Sequence, residues 1–258
     1  MNIHPTSYVE TGASIGNNVE IGPFSIIHSN VILHDNCKVG AYCELGVKTP
    51  LSNGTPLVIG SDSTIRSHSV FYESSVFGER LVTGHRVTVR EHTVAGKNLQ
   101  IGTLCDIQGD CNIGDYVRFH SNVHIGKMSA VGNFVWIFPY VVLTNDPTPP
   151  SEILSGVTLE DYAIVATMAV ILPGVRVGTH SLVAAHACVG KDVPPYSISG
   201  GVPAKILGST SAIKRKDFPN ESAYPWPRHF HRGYPESIIE NWESEFQEVR
   251  VPGVNNAE

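Results

Sequence analysis

One apolar residue every six positions constrains this chain more than any other feature. Ile3, Val9, Ile15, Ile21, Ile27, Leu33, Val39 and Leu45 follow one another at that interval, and Gly16, Gly22, Gly40 and Gly46 each sit one place after such a residue. A second block keeps one register from Ile59 to Leu143, and a third runs from Leu159 to Val189. An amphipathic helix needs apolar residues at steps of three and four, so this interval describes a short strand followed by a corner. A second, small or β-branched residue four places on completes the inward-facing set, and the glycine is expected to relieve the corner. With three hexads of six to a turn of 18 residues, 27 complete hexads make nine coils, a triangular prism roughly 40 Å tall at strand spacing.

Cys37, Cys43, Cys105 and Cys111 occupy the small inward position. Together with Cys188 they are expected as reduced packing residues, since the five lack CxxC spacing. A formal charge of -6 over 258 residues argues against nucleic-acid binding, which needs a basic face. The chain shows no basic-plus-apolar leader and no apolar run long enough to span a membrane. A cytoplasmic protein with no membrane partner is therefore expected.

Two segments break the register. Residues 46–58 (GVKTPLSNGTPLV) and 143–158 (LTNDPTPPSEILSGVT) are read as loops, the second a stiff arm with three prolines that carries Asn145 and Asp146. Beyond residue 208 the period is lost. Two domains are expected: a repeat domain over 1–208 and an extension over 209–258, in which Ile238, Ile239, Trp242, Phe246 and Val249 recur at helical spacing. The cluster Lys214, Arg215, Lys216, Arg228, His229, His231 and Arg232 reads equally as a phosphate contact or as a solvated basic surface.

The [Ile/Leu/Val]-Gly-x-x-[small]-x repeat resembles the left-handed parallel β-helix of hexapeptide-repeat acyltransferases. The stretches ILPGVRVG (171–178) and KDVPPYSISGGVPAKILG (191–208) resemble the ending of the coenzyme-A-dependent members. That resemblance implies an all-β fold of left hand, a homotrimer with each active site between two chains, and acyl-coenzyme A as co-substrate without a metal. It also implies that the pantetheine arm runs along the later coils, past the small residues Ala166, Ala184, Ala185 and Gly190, with Lys191 and Lys205 meeting phosphates.

Thr144-Asn145-Asp146-Pro147 resembles the loop of nucleotide-linked 3-amino-sugar N-acyltransferases, in which the Asn-Asp pair helps to position donor and acceptor. Asn122-Val123-His124-Ile125-Gly126-Lys127 and Val89-Arg90-Glu91-His92 resemble the UDP-N-acetylglucosamine O-acyltransferases of lipid A synthesis, whose catalytic histidine falls where this chain has Lys127.

Residues 18 apart stack on adjacent coils, so Asn145 is expected over Lys127 and Lys127 over Gly109. His120, Asn122, His124 and Lys127 are then expected to surround the coil beneath the arm, with Arg90, Glu91 and His92 two coils below as substrate contacts. An alcohol needs a base to become nucleophilic, whereas an amine need only lose an ammonium proton. Lys127 in place of histidine therefore favours an amino acceptor. The reading is an acyl-CoA-dependent N-acyltransferase of a nucleotide-linked, dTDP-type amino-dideoxy sugar for surface polysaccharide. Asn145 and Asp146 orient the substrates, Lys127 belongs to the catalytic set, and His120 and His124 mainly position the acceptor.

Three alternatives stay open. An O-acyltransferase of the lipid A type would use His120 or His124 as base. A γ-class carbonic anhydrase would use those two histidines, four apart, as zinc ligands, although it leaves the coenzyme-A-like tail unexplained. A solenoid without chemistry is the third.

Overall fold

The computed structural model describes residues 2–224 and 236–240. The chain winds into a left-handed parallel β-helix of three faces. Face 1 stacks strands from Asn2–Ile3 through Arg118–Phe119 to Ser197–Gly201. Face 2 runs from Tyr8–Val9 through His124–Ile125 to Cys188–Val189, and face 3 from Ser14–Ile15 to Arg176–Val177. The apolar residue of a hexad ends a strand two or three residues long, except at Leu45 and Phe71, whose strands run on to Val47 and Tyr72.

Backbone groups are satisfied from coil to coil: Gly22 N–H donates to the Val39 carbonyl at 2.8 Å and Arg118 N–H to Val135 at 2.9 Å. The interior is one apolar column in which Ile27, Leu45, Ile59, Ile107, Ile125 and Ile171 are each 0% exposed. The small inward position has a polar task as well. Ser25 Oγ donates to the Gly40 carbonyl at 2.7 Å, and in the same register Cys37 donates to Gly60 and Cys43 to Arg66, both at 3.3 Å. That explains why cysteine recurs there: a short side chain fits the corner and meets the carbonyl behind it. All five cysteines are free, and burial pushes the Cys105 and Cys111 thiols up to about 11.

Two expectations are corrected. Face 1 holds eleven parallel strands among the described residues, with Ala204–Ser209 as a twelfth, so the prism has about eleven levels instead of nine and stands about 48 Å tall. Counting whole hexads dropped the strand that closes the first block, the one that closes the second, and the last strand, which has left the six-residue period. The glycines, moreover, do not relieve the corner. The left-handed backbone falls two places later, at residues such as Asn18, Asn36, Asp62, His92 and Asn122, with φ between 54° and 60°. Asparagine, aspartate and histidine tolerate that conformation best. Where aromatics occupy it, they stack one above another, as in Phe24–Tyr42–His68 with centroids 5.1 and 5.0 Å apart, which offsets part of the strain. The glycine serves coil packing: a Cβ on Gly60 would lie 2.4 Å from the Gly78 carbonyl carbon, and one on Gly102 2.4 Å from that of His120.

Both insertions leave the prism at the same corner. The first connects Glu44–Val47 of face 2 to Leu57–Ile59 of face 3, and the second connects Val142–Leu143 of face 2 to Thr158–Leu159 of face 3. Five strand spacings, about 24 Å, separate their levels. Four strands of face 2 lie between them.

The chain divides into two compact units, Met1–Gly208 and Ser209–Glu258. In the second, Ser209 caps a short 3-10 turn at Thr210–Ala212, and Arg215 donates to Asp217 and Glu221 and lies over the Phe218 ring. Arg215 of the basic cluster is thereby matched by two carboxylates. A helix covers Glu236–Ile239. Trp242, Phe246, Val249, Arg228, His229, His231 and Arg232 lie outside the described residues.

Candidate active site

On face 2 the register places Thr88, Asp106, His124, Val142 and Val170 directly above one another. Each precedes the inward residue of its strand and so faces out. The residue after the inward one forms a second outward column: Tyr72, Arg90, Gln108, Gly126, Thr144, Leu172 and Gly190.

The columns meet in a carboxylate-imidazole pair that sequence reading had not identified. His124 Nδ1 lies 3.1 Å from Asp106 Oδ2, and Gln108 Nε2 donates to the same oxygen at 2.6 Å. The bond from His124 and then that from Gln108 hold the Asp106 carboxyl below its usual range, so it is ionised and accepts only. Nδ1 therefore carries the proton of that bond, and Nε2 has no hydrogen-bond partner among the described residues. Both side chains remain about 40% exposed, open to a small molecule. Eighteen residues separate Asp106 from His124, so the stacking rule applied to carboxylates would have found the pair.

One corner on, Lys127 Nζ reaches down to Asp110 Oδ2 at 2.9 Å. The register continues Ile125 to Leu143, which sets Asn145 one coil above Lys127 as expected. Gly126 makes room there, since a Cβ on it would stand 3.3 Å from Asn145 Cβ. The Asn145 carbonyl accepts from Ser155 N–H at 2.8 Å, closing the arm. Asp146 turns inward on the arm: it accepts from Ser151 Oγ at 2.6 Å, Ser151 N–H at 2.8 Å and Thr148 N–H at 3.1 Å. The Ser151 hydroxyl first, and these amides, hold its carboxyl low. In this structure, then, Asp146 holds the loop that carries Asn145.

Lower on the face, Arg90 lies over the Tyr72 ring at 5.2 Å and donates through Nε to Glu91 Oε2 at 3.0 Å. Glu91 is 3% exposed and also accepts from the Thr49 hydroxyl of the first insertion. Burial works to raise its carboxyl, but the Arg90 and Thr49 bonds outweigh that and hold it low. His92 Nε2 bonds the Leu51 carbonyl at 2.8 Å. Glu91 and His92 therefore anchor the insertion, and Arg90 is the member of the trio left on the open face.

The histidines expected together are separated. His120 follows a strand of face 1 and stacks on Phe138 at 4.6 Å, whereas His124 belongs to face 2, and Asn122 forms the corner between them. Burial, and then Arg118, keep His120 below its ordinary value. The two imidazoles thus belong to different faces. The residues expected along coenzyme A divide likewise: Ala166 and Ala184 continue the face 1 column above Phe138, Ala185 follows at the corner, Gly190 and Lys191 end face 2, and Lys205 lies on Ala204–Ser209.

Residues 3–46 match the family model of the bacterial transferase hexapeptide, six repeats. The same interval continues to Val189. The six-residue repeat therefore extends well beyond the matched segment. The chain is similar to a Staphylococcus aureus 2,3,4,5-tetrahydropyridine-2,6-dicarboxylate N-acetyltransferase, 36% identical over 93 residues, which is 36% of this chain and 33% of that relative. The hexapeptide-repeat chain thus matches about a third of that relative's length. Its fold is also that of an Arabidopsis UDP-N-acetylglucosamine acyltransferase, at a TM-score of 0.67 and 17% identity, over 98% of this chain and 86% of that one. Caulobacter crescentus PerB, solved with CoA and GDP-perosamine, matches 54% of this chain and 57% of its own at 24% identity, with a TM-score of 0.25.

Proposed function

We propose that this hexapeptide-repeat chain is an acyl-CoA-dependent N-acyltransferase that acylates the amino group of a nucleotide-linked amino-dideoxy sugar, on face 2 between the two insertions. The observation that carries the reading is the Asp106–His124 pair, a poised base on an open face. Face 2 changes character at that level. From His124 upward the outward residues are small or apolar (Gly126, Val142, Val170, Leu172, Gly190) apart from Thr144, whose hydroxyl is taken up by the Ile171 carbonyl, and this suits a pantetheine arm; below it polar residues (Asp106, Gln108, Thr88, Arg90) suit a sugar nucleotide. The dTDP-type carrier follows from the Thr144–Pro147 resemblance.

In this reading the neutral amine adds to the thioester carbonyl, and the tetrahedral intermediate expels the coenzyme A thiolate. The proton lost by nitrogen passes to His124 Nε2 and then to the departing sulfur, while Asp106 fixes the tautomer and stabilises the imidazolium. His124 thus moves from the positioning role expected of it to that of base. Asn145 holds sugar or thioester from above, and Asp146 keeps Asn145 in place. The division of the coenzyme A positions between faces 1 and 2 supports a homotrimer, in which face 1 of one chain meets face 2 of the next.

The same dyad supports a second reading, transfer to a sugar hydroxyl, because a carboxylate-backed imidazole also serves an alcohol. Matched amino and hydroxy nucleotide sugars, offered with acetyl-CoA, separate the two. Transfer to the amine supports the N-acyl reading, and transfer to the hydroxyl alone rejects it.

A further inference from the structure

Arg90 is built into its place. Its guanidinium has the Tyr72 ring on one side, and Glu91 accepts from Nε at 3.0 Å and from Nη2 at 3.4 Å. A carboxylate as buried as Glu91 is costly unless every lone pair is used, and the Thr49 hydroxyl supplies a further donor. Thr49 comes from the first insertion, which starts two coils lower and is fastened over this corner by Leu51 to His92 and by Asn53 N–H to Ser74 Oγ at 3.2 Å. The insertion thus climbs the corner to complete the support of one arginine. A pair whose only task was stability would gain by covering the arginine too, yet Arg90 keeps a third of its side-chain surface exposed while Glu91 is sealed. Glu91 takes one edge of the guanidinium fork and leaves the Nη1 donors for another acceptor. The insertion also brings Lys48, next to Thr49, which has no ion-pair partner among the described residues.

We propose that Arg90 is the subsite for the diphosphate of the acceptor, with Lys48 of the insertion as a second cation, and that Glu91 and Thr49 are positioning residues that hold the guanidinium for it. The ligand class rests on the acyl-transfer reading above. Its level fits: Val89 stacks under Ile107 and Ile107 under Ile125, so Arg90 lies two coils, about 10 Å, below His124. A hexose hydrogen-bonded at its amine end to the imidazole reaches that far with its glycosidic phosphate. Planar, forked donors suit phosphate oxygens, which explains an arginine held flat at this point rather than a mobile lysine alone.

Calorimetric titration of UDP, dTDP and GDP into wild type, Arg90→Gln, Lys48→Gln, Glu91→Gln and Thr49→Val tests this, with acetyl-CoA titrated in parallel. At least one nucleoside diphosphate is expected to bind wild type, and Arg90→Gln to weaken that one about 10- to 100-fold while acetyl-CoA affinity holds. Glu91→Gln and Thr49→Val should each weaken it less, and should add almost nothing on top of Arg90→Gln, because they act through that side chain. Lys48, exposed on the insertion, keeps the test open if Arg90→Gln does not fold. Wild type that binds none of the three, or Arg90→Gln that binds as tightly as wild type, overturns the subsite. Loss of diphosphate affinity in Arg90→Gln, together with no binding or consumption of acetyl-CoA by wild type, keeps the subsite and rejects the acyl-transfer reading.

Discussion

Asp106 and His124 differ from the other outward side chains of face 2 in being charge-linked through an atom that leaves the reactive nitrogen bare. Asp106→Asn preserves shape but removes the charge that fixes the tautomer, and His124→Ala removes the base. Each is expected to lower kcat by about 100-fold or more, measured as thiol release from acetyl-CoA. Asp146→Ala should lower kcat/KM about tenfold through a loosened arm, with restoration by Asp146→Asn only in part, because an amide oxygen accepts fewer of the three bonds. A second histidine offers a pH test away from the site. His28 bridges Glu10 at 3.1 Å and Glu44 at 3.0 Å. Burial pulls its ring down, but Glu44 and Glu10 outweigh that and raise it above the ordinary 6.5, while the Ser29 amide and His28 hold Glu10 below 4.5. The histidine contribution is complete below pH 6.5 and fades as pH rises through the raised value; the Glu10 contribution is complete above pH 4.5 and fades below it. The gap in Tm between wild type and His28→Gln should therefore be largest between roughly pH 5 and 6 and shrink on either side. A gap that grows toward pH 8 contradicts it. Of these residues, His124, Arg90, Lys127 and Asn145 were legible in the sequence because motifs flank them. Asp106 was legible in principle, 18 residues from His124, whereas Thr49 was not: it reaches Glu91 from a loop with no register, 42 positions away.

At the scale of the element, the hexad encodes three separate demands. The apolar residue fills the column, the residue three places on accepts a left-handed backbone, and the glycine lets the next coil approach. Gly102→Ala puts a methyl group 2.4 Å from the His120 carbonyl carbon, where only backbone can yield. A loss of about 1 to 3 kcal/mol is expected in urea unfolding, as for other overpacked sites. An unchanged midpoint contradicts the coil-packing role. The interval itself told the strands, the faces and the core. It told neither the reason for the glycine nor the count of levels, because the former depends on the coil above and the latter on strands such as Ser197–Gly201 that leave the period. That both insertions share the corner from face 2 to face 3 also requires the winding, since hexad number modulo three decides the face and the insertions hide it.

For the molecule as a whole, the chemistry is distributed. Face 2 carries the Asp106–His124 pair, the arm and the arginine support, while Ala166 and Ala184 lie on face 1, so the proposed site draws on both faces. Sedimentation should find a trimer, and activity should fall on dilution with the loss of that species; a fully active monomer contradicts this arrangement. His120 and His124, neighbours in sequence, were expected in one cluster and are divided by a corner, since four residues suffice to turn from one face to the next. The direct measurement is thiol release from acetyl-CoA with a panel of nucleotide-linked amino sugars and their hydroxy counterparts, for wild type, Asp106→Asn and His124→Ala. Wild type is expected to release thiol with an amino sugar, and both variants to fall by about 100-fold or more. Wild type that spends no thioester on any of them, or variants that turn over at the wild-type rate, contradicts acyl transfer at face 2.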